Sequence, residues 1–475
     1  MFSVDQGDIQ TGYAIEAATN LGQSHISNLY LTNTRVWLNK LRETRGESIT
    51  LKDITDDEIN LLCKGQDAVW FMGIYRPSAV SEDLAKRYGR DVSSPFSITA
   101  YEPNSLLAHD WSEWDEFAKR LHERGVKVLL DFVPNHLARD HPWTKMHPEY
   151  FIHNDDGSIA YGKDPNFPSG WADTAQLDYS NPELEGEMQA ILLEIARHAD
   201  GVRCDMAMLI EPDTFQRTWG KSVPRFWVDA IGKVRKIKPN FIFIAESYGG
   251  IDQLLNAGFD GVYDSEYYEN LQKLIKGVIS KTDFINHLKV MDKHAVVYLE
   301  NHDESRAVLK FGGREKANAL AVITAFSPAL WMVHQGQEEG RREHLDMQVD
   351  HFPINETLDY ETNKLYEFLL ILRQAKLFRN GVWSYPDLIG AENIIAQQVE
   401  ADKSGIIACT NFSDINSAGF IRLPVGARNV RVFDINDQRF IDNPSIPQRL
   451  DDRREELYLY LDLNPNRSQI IYYDL

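Results

Sequence analysis

Three carboxylates and an arginine stand out because each follows or closes an apolar run. Arg203 and Asp205 lie in "GVRCDMAML", Glu246 in "FIFIAES", and Asp303 in "ENHD" after "AVVYL". On a strand, residues i and i+2 face the same side. Arg203 and Asp205 therefore point together, and Cys204 points away. A charge in a buried strand is costly unless it is paired or used. Carboxyls packed together push at least one pKa upward, while a cationic neighbour keeps another ionised. One ionised and one protonated carboxyl, about 5 to 5.5 Å apart, supply the nucleophile and proton donor of retaining glycoside hydrolysis. A third carboxylate can hold sugar hydroxyls and stabilise positive charge in the transition state. Arg203 is spaced to keep Asp205 charged. His136, in "DFVPNH", and His302, in "ENHD", suit hydroxyl recognition beside it.

These residues meet only if the fold gathers several strand ends at one place. Eight short apolar runs read as strands: 29–38, 68–75, 126–133, 201–206, 241–247, 259–264, 295–301 and 329–335. Between them lie amphipathic segments with helix start and stop signals. "DITDDEINLLCKG" has a polar start, "WSEWDEFAKRLHERG" ends on Lys, Arg and Gly, and "NPELEGEMQAILLEIARHA" and "PRFWVDAIGKVRKIK" follow, the last opening on Pro224. Strand–helix alternation repeated eight times predicts a parallel sheet covered by helices, and eight repeats suit a (β/α)8 TIM barrel. In such a barrel the active site lies at the C-terminal strand ends. A doubly wound open sheet would need a Gly-rich turn after an early strand, and the sequence has none.

Two regions depart from the alternation. Residues 137–181 are rich in aromatics, Pro, Gly and Asp and form an excursion after the third strand; loops this long are usually functional. Residues 384–475 carry short alternating strands separated by turn residues, which read as a small antiparallel β-domain. The barrel is assigned to 1–136 and 182–383. Trp143, Tyr161 and Trp171 either line a sugar site or form the small core of the excursion.

Composition narrows the chemistry further. The 475 residues are 43% hydrophobic and 25% charged, ordinary for a globular protein. Asp+Glu number 71 against 50 Lys+Arg, a net charge of -21 that argues against a nucleic-acid partner. Cys63, Cys204 and Cys409 form no CxxC pair, so neither a disulfide framework nor a zinc cluster is expected. Zinc also favours paired histidines at fixed spacing, as in HExxH, and "NHD" and "DHPW" lack it. The longest apolar stretch, 319–333, is too short for a membrane span and contains Ser327 and Pro328. The opening "MFSVDQGDIQTGYAIEAATN" lacks the basic start and apolar core of a secretory signal, so a cytoplasmic location is expected.

In order, "DFVPNH", "GVRCDMAML", "FIAES" and "ENHD" resemble the four short motifs of the α-amylase family, glycoside hydrolase family 13. "AVWFMGIY", "QLDYSNP" and "GQEEG" add three further matches, and the resemblance covers essentially the whole chain. It implies a barrel with an excursion after the third strand and a C-terminal antiparallel β-sandwich. It further implies Asp205 as nucleophile, Glu246 as general acid/base and Asp303 as transition-state stabiliser. Arg203, His136 and His302 would surround the reacting sugar. Phe96 and Ser97 stand where many members carry Tyr-Asp; Phe96 can still stack on a sugar face. Met208 and Leu209 stand where many members carry a Lys-His pair that helps a calcium site. No cofactor is required, and a structural calcium would draw on Asn135 and Asp178.

The implied activity is that of a retaining α-glycosidase, hydrolysing α-glucosidic bonds in α-glucans or malto-oligosaccharides through a covalent glycosyl-enzyme. The same residues would also serve a transglycosylase (glucanotransferase) or a phosphorylase. A non-catalytic sugar-binding barrel is a further alternative, although such relatives typically lack one or more of the three acids.

Overall fold

Eight parallel strands close into a ring in the computed structural model, which describes residues 26–353, 356–441 and 457–475. They are β1 (Asn28–Asn33), β2 (Ala68–Met72), β3 (Lys127–Phe132), β4 (Gly201–Cys204), β5 (Ile242–Ala245), β6 (Gly261–Tyr263), β7 (Ala295–Val297) and β8 (Leu330–His334). Each pairs with its sequence neighbours, and β1 closes the barrel by pairing with both β2 and β8. Register places Arg203 of β4 beside Asp131 of β3 and Cys204 beside Ala245 of β5. Asp205 and Glu246, the next residue on each strand, therefore leave the barrel side by side. The opening stretch read for a secretory signal lies outside the described residues.

The first apolar run, expected to be one strand over 29–38, divides at Asn33. Helix α1 (Thr34–Arg45) follows β1 directly; Asn33 accepts the Val36 N–H, and Gly46 ends the helix at φ 66°. The β-branched residues of "TNTRV" favour a strand locally. The side-chain cap and the burial of Val36 and Leu38 against the barrel prevail. Helix α2 (Asp56–Cys63) begins with a Thr55–Glu58 capping box. Helix α3 (Trp111–His122) packs Trp114 and Phe117 edge-on against Phe71 of β2, at 5.3 and 5.5 Å between ring centroids. Burial of each such ring contributes about 1.5–3 kcal/mol. Helix α4 (Pro182–His198) starts on its proline as the sequence suggests. Helix α5 (Phe226–Ile237) starts two residues later than expected, leaving Pro224 ahead of its N-cap, Arg225.

The excursion folds into short antiparallel pairs, His136–Ala138 with Thr174–Gln176 and Gly162–Asp164 with Phe167–Trp171. Two of its aromatics pack against different neighbours. Trp143 packs on His141 and Tyr150 inside the excursion, whereas the Trp171 ring lies 5.5 Å from His136.

The C-terminal domain is a β-sandwich of a six-stranded and a three-stranded sheet, built from antiparallel pairs. The sheets enclose Ile394, Ile407, Ile421, Leu461 and Ile471. On the side toward the barrel, Gln397 donates to the carbonyls of Ile323 and Phe326 at the end of α6 (Arg314–Ala325). Among the described residues, no helix is long and apolar enough to cross a membrane.

Candidate active site

Arg203 is fully buried at the C-terminal end of β4. Its Nη1 donates to Asp205 Oδ1 at 2.8 Å and lies 3.9 Å from Asp131 Oδ1, while Nη2 lies 2.6 Å from Glu246 Oε2. The centroids of Trp70, Phe96 and Tyr263 lie 4.8, 4.9 and 5.9 Å from the guanidinium carbon. The rings add cation–π attraction and keep water away, which strengthens the ion pairs. Desolvation opposes the charge of Arg203, but Glu246, Tyr263, Asp205 and Asp131 together hold its pKa well above the usual value. Asp131 is itself fixed by the Trp70 indole N–H at 3.0 Å and the Gly73 N–H at 3.4 Å. Burial pushes the Asp131 carboxyl up to about 7.

Asp205 and Glu246 are 4% and 3% exposed, and desolvation raises the pKa of both. Their remaining influences differ. At Asp205, the charge of Arg203 and hydrogen bonds from Arg203 and Glu246 pull the pKa down, against the charge of Asp303. At Glu246, the charge of Arg203 is opposed by Asp205 and Asp303. The hydrogen bonds at Asp205 favour its charged form, whereas at Glu246 the charges of both Asp205 and Asp303 disfavour it. The chain turns sharply after Asp205 because Met206 adopts a left-handed conformation, φ 43°. That conformation costs about 1–2 kcal/mol in a residue with a side chain. It directs the Met206 N–H to Glu246 Oε2 at 2.9 Å.

Asp303 stands at the mouth with 40% of its side chain exposed. Desolvation by the surrounding recess still raises its carboxyl, against the pull of Arg203. The Asn301 side chain shapes this turn by accepting the N–H groups of Asp303 and Glu304. His302 Nε2 lies 3.2 Å from Asp303 Oδ2, and its ring sits between Trp70 and Phe96. Neither ring nitrogen of His302 makes a hydrogen bond among the described residues. A buried polar atom left this way is a natural recipient for a ligand hydroxyl. Desolvation keeps His302 neutral and lowers His136 to about 4. His136 also hydrogen-bonds the backbone of Phe96.

Contacts thus link Asp205, Glu246, Arg203, Phe96, His302, Asp303 and His136 in one cluster. Arg203, expected from strand alternation to serve Asp205, serves Glu246 equally. Trp70, Tyr263 and Tyr248 belong to the cluster without having been singled out. Trp70 lies within the "AVWFMGIY" motif; Tyr248 follows Glu246 by two residues, and Tyr263 ends β6.

Residues 65–383 match the family model of the alpha-amylase catalytic domain. The chain belongs to the alpha-amylase family. Its curated relatives include the α-1,4-glucan:maltose-1-phosphate maltosyltransferase of Arcanobacterium haemolyticum, 26% identical over 330 residues, or 64% of this chain and 45% of that protein. An alpha-amylase of Haloarcula japonica is 26% identical over 309 residues, 61% of this chain and 41% of that one. The chain spans less than half the length of these relatives. Among solved structures, a maltogenic alpha-amylase of Thermotoga neapolitana shares the fold with a TM-score of 0.73, at 23% identity over 94% of this chain and 98% of that chain. An alpha-amylase of Lactobacillus plantarum gives 0.72, at 21% identity over 95% and 99%.

The calcium that the alpha-amylase resemblance raises meets an unsuitable set of groups here. Calcium takes six to eight oxygen ligands. The Lys221 ammonium contacts Asp178 Oδ2, and Asp178 Oδ1 accepts the Ser180 N–H and hydroxyl at 3.1 and 2.6 Å. Asn135 Oδ1 and the Asn135 carbonyl both accept Gln176 Nε2, at 3.1 and 2.9 Å. Met208 and Leu209 offer no side-chain oxygen. A divalent ion would face an ammonium where it needs an oxygen, so these residues do not fit calcium.

Proposed function

We propose that this alpha-amylase-family protein is a retaining α-glycosidase acting on α-glucans or malto-oligosaccharides. The observation that carries this reading is the buried Arg203 guanidinium shared by Asp205 and Glu246, with Asp303 at the mouth. Ionised Asp205 attacks the anomeric carbon while Glu246 gives its proton to the departing glycosidic oxygen. A covalent glycosyl-enzyme results. Glu246, now a carboxylate, takes a proton from water, and that water releases the sugar with retained configuration. Asp303 stabilises positive charge on the ring, and neutral His136 and His302 exchange hydrogen bonds with sugar hydroxyls. The face of Phe96 supplies an apolar wall.

Transfer is the second reading, and the maltosyltransferase names among the relatives favour it. A sugar hydroxyl or phosphate then replaces water in the second step, and every residue keeps its role. Both readings are tested by incubating the protein with a panel of malto-oligosaccharides, with and without maltose 1-phosphate. Products are followed by chromatography and anomeric NMR. The α-anomer is expected as the first product. Chains longer than the donor identify transfer, and net inversion would overturn the assigned roles. No turnover on any member would leave a sugar-binding barrel.

A further inference from the structure

Glu246 has two carboxyl oxygens, and only one is available for proton transfer. Oε2 accepts the Met206 N–H at 2.9 Å and lies 2.6 Å from Arg203 Nη2. Oε1 remains, and it accepts the Tyr248 hydroxyl at 3.1 Å. A general acid must come within hydrogen-bond reach of the oxygen it protonates. The Tyr248 hydroxyl therefore stands where the glycosidic oxygen must arrive.

Tyr248 is also placed to leave. It follows β5 on a loop, with 48% of the residue exposed. Gly249 and Gly250 come next, Gly250 at φ 68°. A Cβ added at Gly249 would meet no heavy atom within 4 Å, so the loop borders open space.

We propose that Tyr248 is a removable cap on Oε1 of Glu246, displaced when the glycosidic oxygen of the substrate takes over that hydrogen bond. The proposal rests on the reading of Glu246 as general acid/base. Before the exchange, the phenol donates to Oε1 of the carboxylate; as the phenol turns to solvent, Oε1 takes up a proton from solvent water, and that carboxyl proton then faces the glycosidic oxygen.

Other groups also tune Glu246. Arg203 and Asp205 face it from β4, Tyr263 from β6, and Tyr298, His302 and Asp303 from the segment after β7. His136 reaches it from the segment after β3, and Asp131 acts through Arg203. Tyr248→Phe removes none of these and keeps the ring, so a change in titration reports the hydroxyl.

The test compares pH profiles of kcat and kcat/KM for the wild type and Tyr248→Phe on one malto-oligosaccharide. A donor to a carboxylate favours its charged form. Removing that donor raises the pKa of Glu246 in the free enzyme. The basic limb of kcat/KM, which reports the free enzyme, should move up by about half to one pH unit. The basic limb of kcat, which reports the complex, should stay in place because the cap has already left. Equal movement of both limbs, or movement of neither, would overturn the cap. Glu246→Gln separates this failure from failure of the underlying reading. If that variant keeps wild-type turnover, Glu246 is not the acid. If it loses turnover while the Tyr248→Phe limbs stay still, only the cap is wrong.

Discussion

Arg373, at the end of α7 (Tyr360–Arg373), is buried beneath the barrel as Arg203 is buried at its top. Arg373 donates Nε to Asn28 Oδ1 at 3.0 Å and its two Nη groups to the carbonyls of Ser27, Ala325, Ser327 and Ala329. The whole fork meets uncharged oxygens, and burial lowers its pKa to about 10. Arg203 meets carboxyls instead. Its Nε makes no hydrogen bond among the described residues, and its Nη2 reaches Glu246 as a close ion pair. A guanidinium saturated by carbonyls is a rivet, since none of the oxygens it donates to changes charge. A guanidinium shared by titratable groups can stay fixed while a proton moves between its neighbours and a substrate. Equal burial at the two ends of one barrel thus serves two purposes, distinguished by what sits opposite each donor.

The strongest way to break this contrast is at Asp205. Asp205→Asn keeps the shape and removes the charge, and kcat should fall by about 10⁴-fold or more with the circular dichroism spectrum unchanged. A variant that retained most of its turnover would make the upper cluster as structural as the lower one. A paired comparison of the arginines sharpens the contrast. Arg203→Lys keeps the charge but loses the fork, and should lower kcat by about 10²–10³-fold. Arg373→Lys should instead cost about 3–5 kcal/mol in urea unfolding while kcat/KM of the folded enzyme stays unchanged. Activity loss in both would erase the distinction. The smallest effect is expected at Lys221. Lys221→Met should cost about 1 kcal/mol, because the ammonium is partly exposed and screened by solvent. EDTA should leave the wild-type Tm unchanged; a clear fall on chelation would show that calcium binds despite the ammonium.

Much of the site was legible because barrel strands end in short motifs whose polar residues have few structural uses. In the C-terminal domain the alternation read from the sequence holds for Ser417–Arg422 and Tyr458–Leu463, whereas Ile394–Ala401 and Ser404–Asn411 are buried along most of their length because both of their faces are covered. What escaped depended on contacts between elements. Helix α1 hid inside a β-prone stretch because the Asn33 cap and the packing of Val36 outweigh local preference. The second duty of Arg203 comes from β4–β5 register, which no single strand reveals. Lys221 lies 43 residues from Asp178, and only the return of the excursion to the barrel joins them. Tyr248 carried no motif; its hydroxyl matters through the position of one carboxyl oxygen.

Met206 leaves thermostability and catalysis at odds at a single position. Glycine there would relax a crowded backbone, and an engineer screening for heat resistance would nominate it early. The released strain would also loosen the amide that orients Glu246, so the sturdier enzyme would be the slower one.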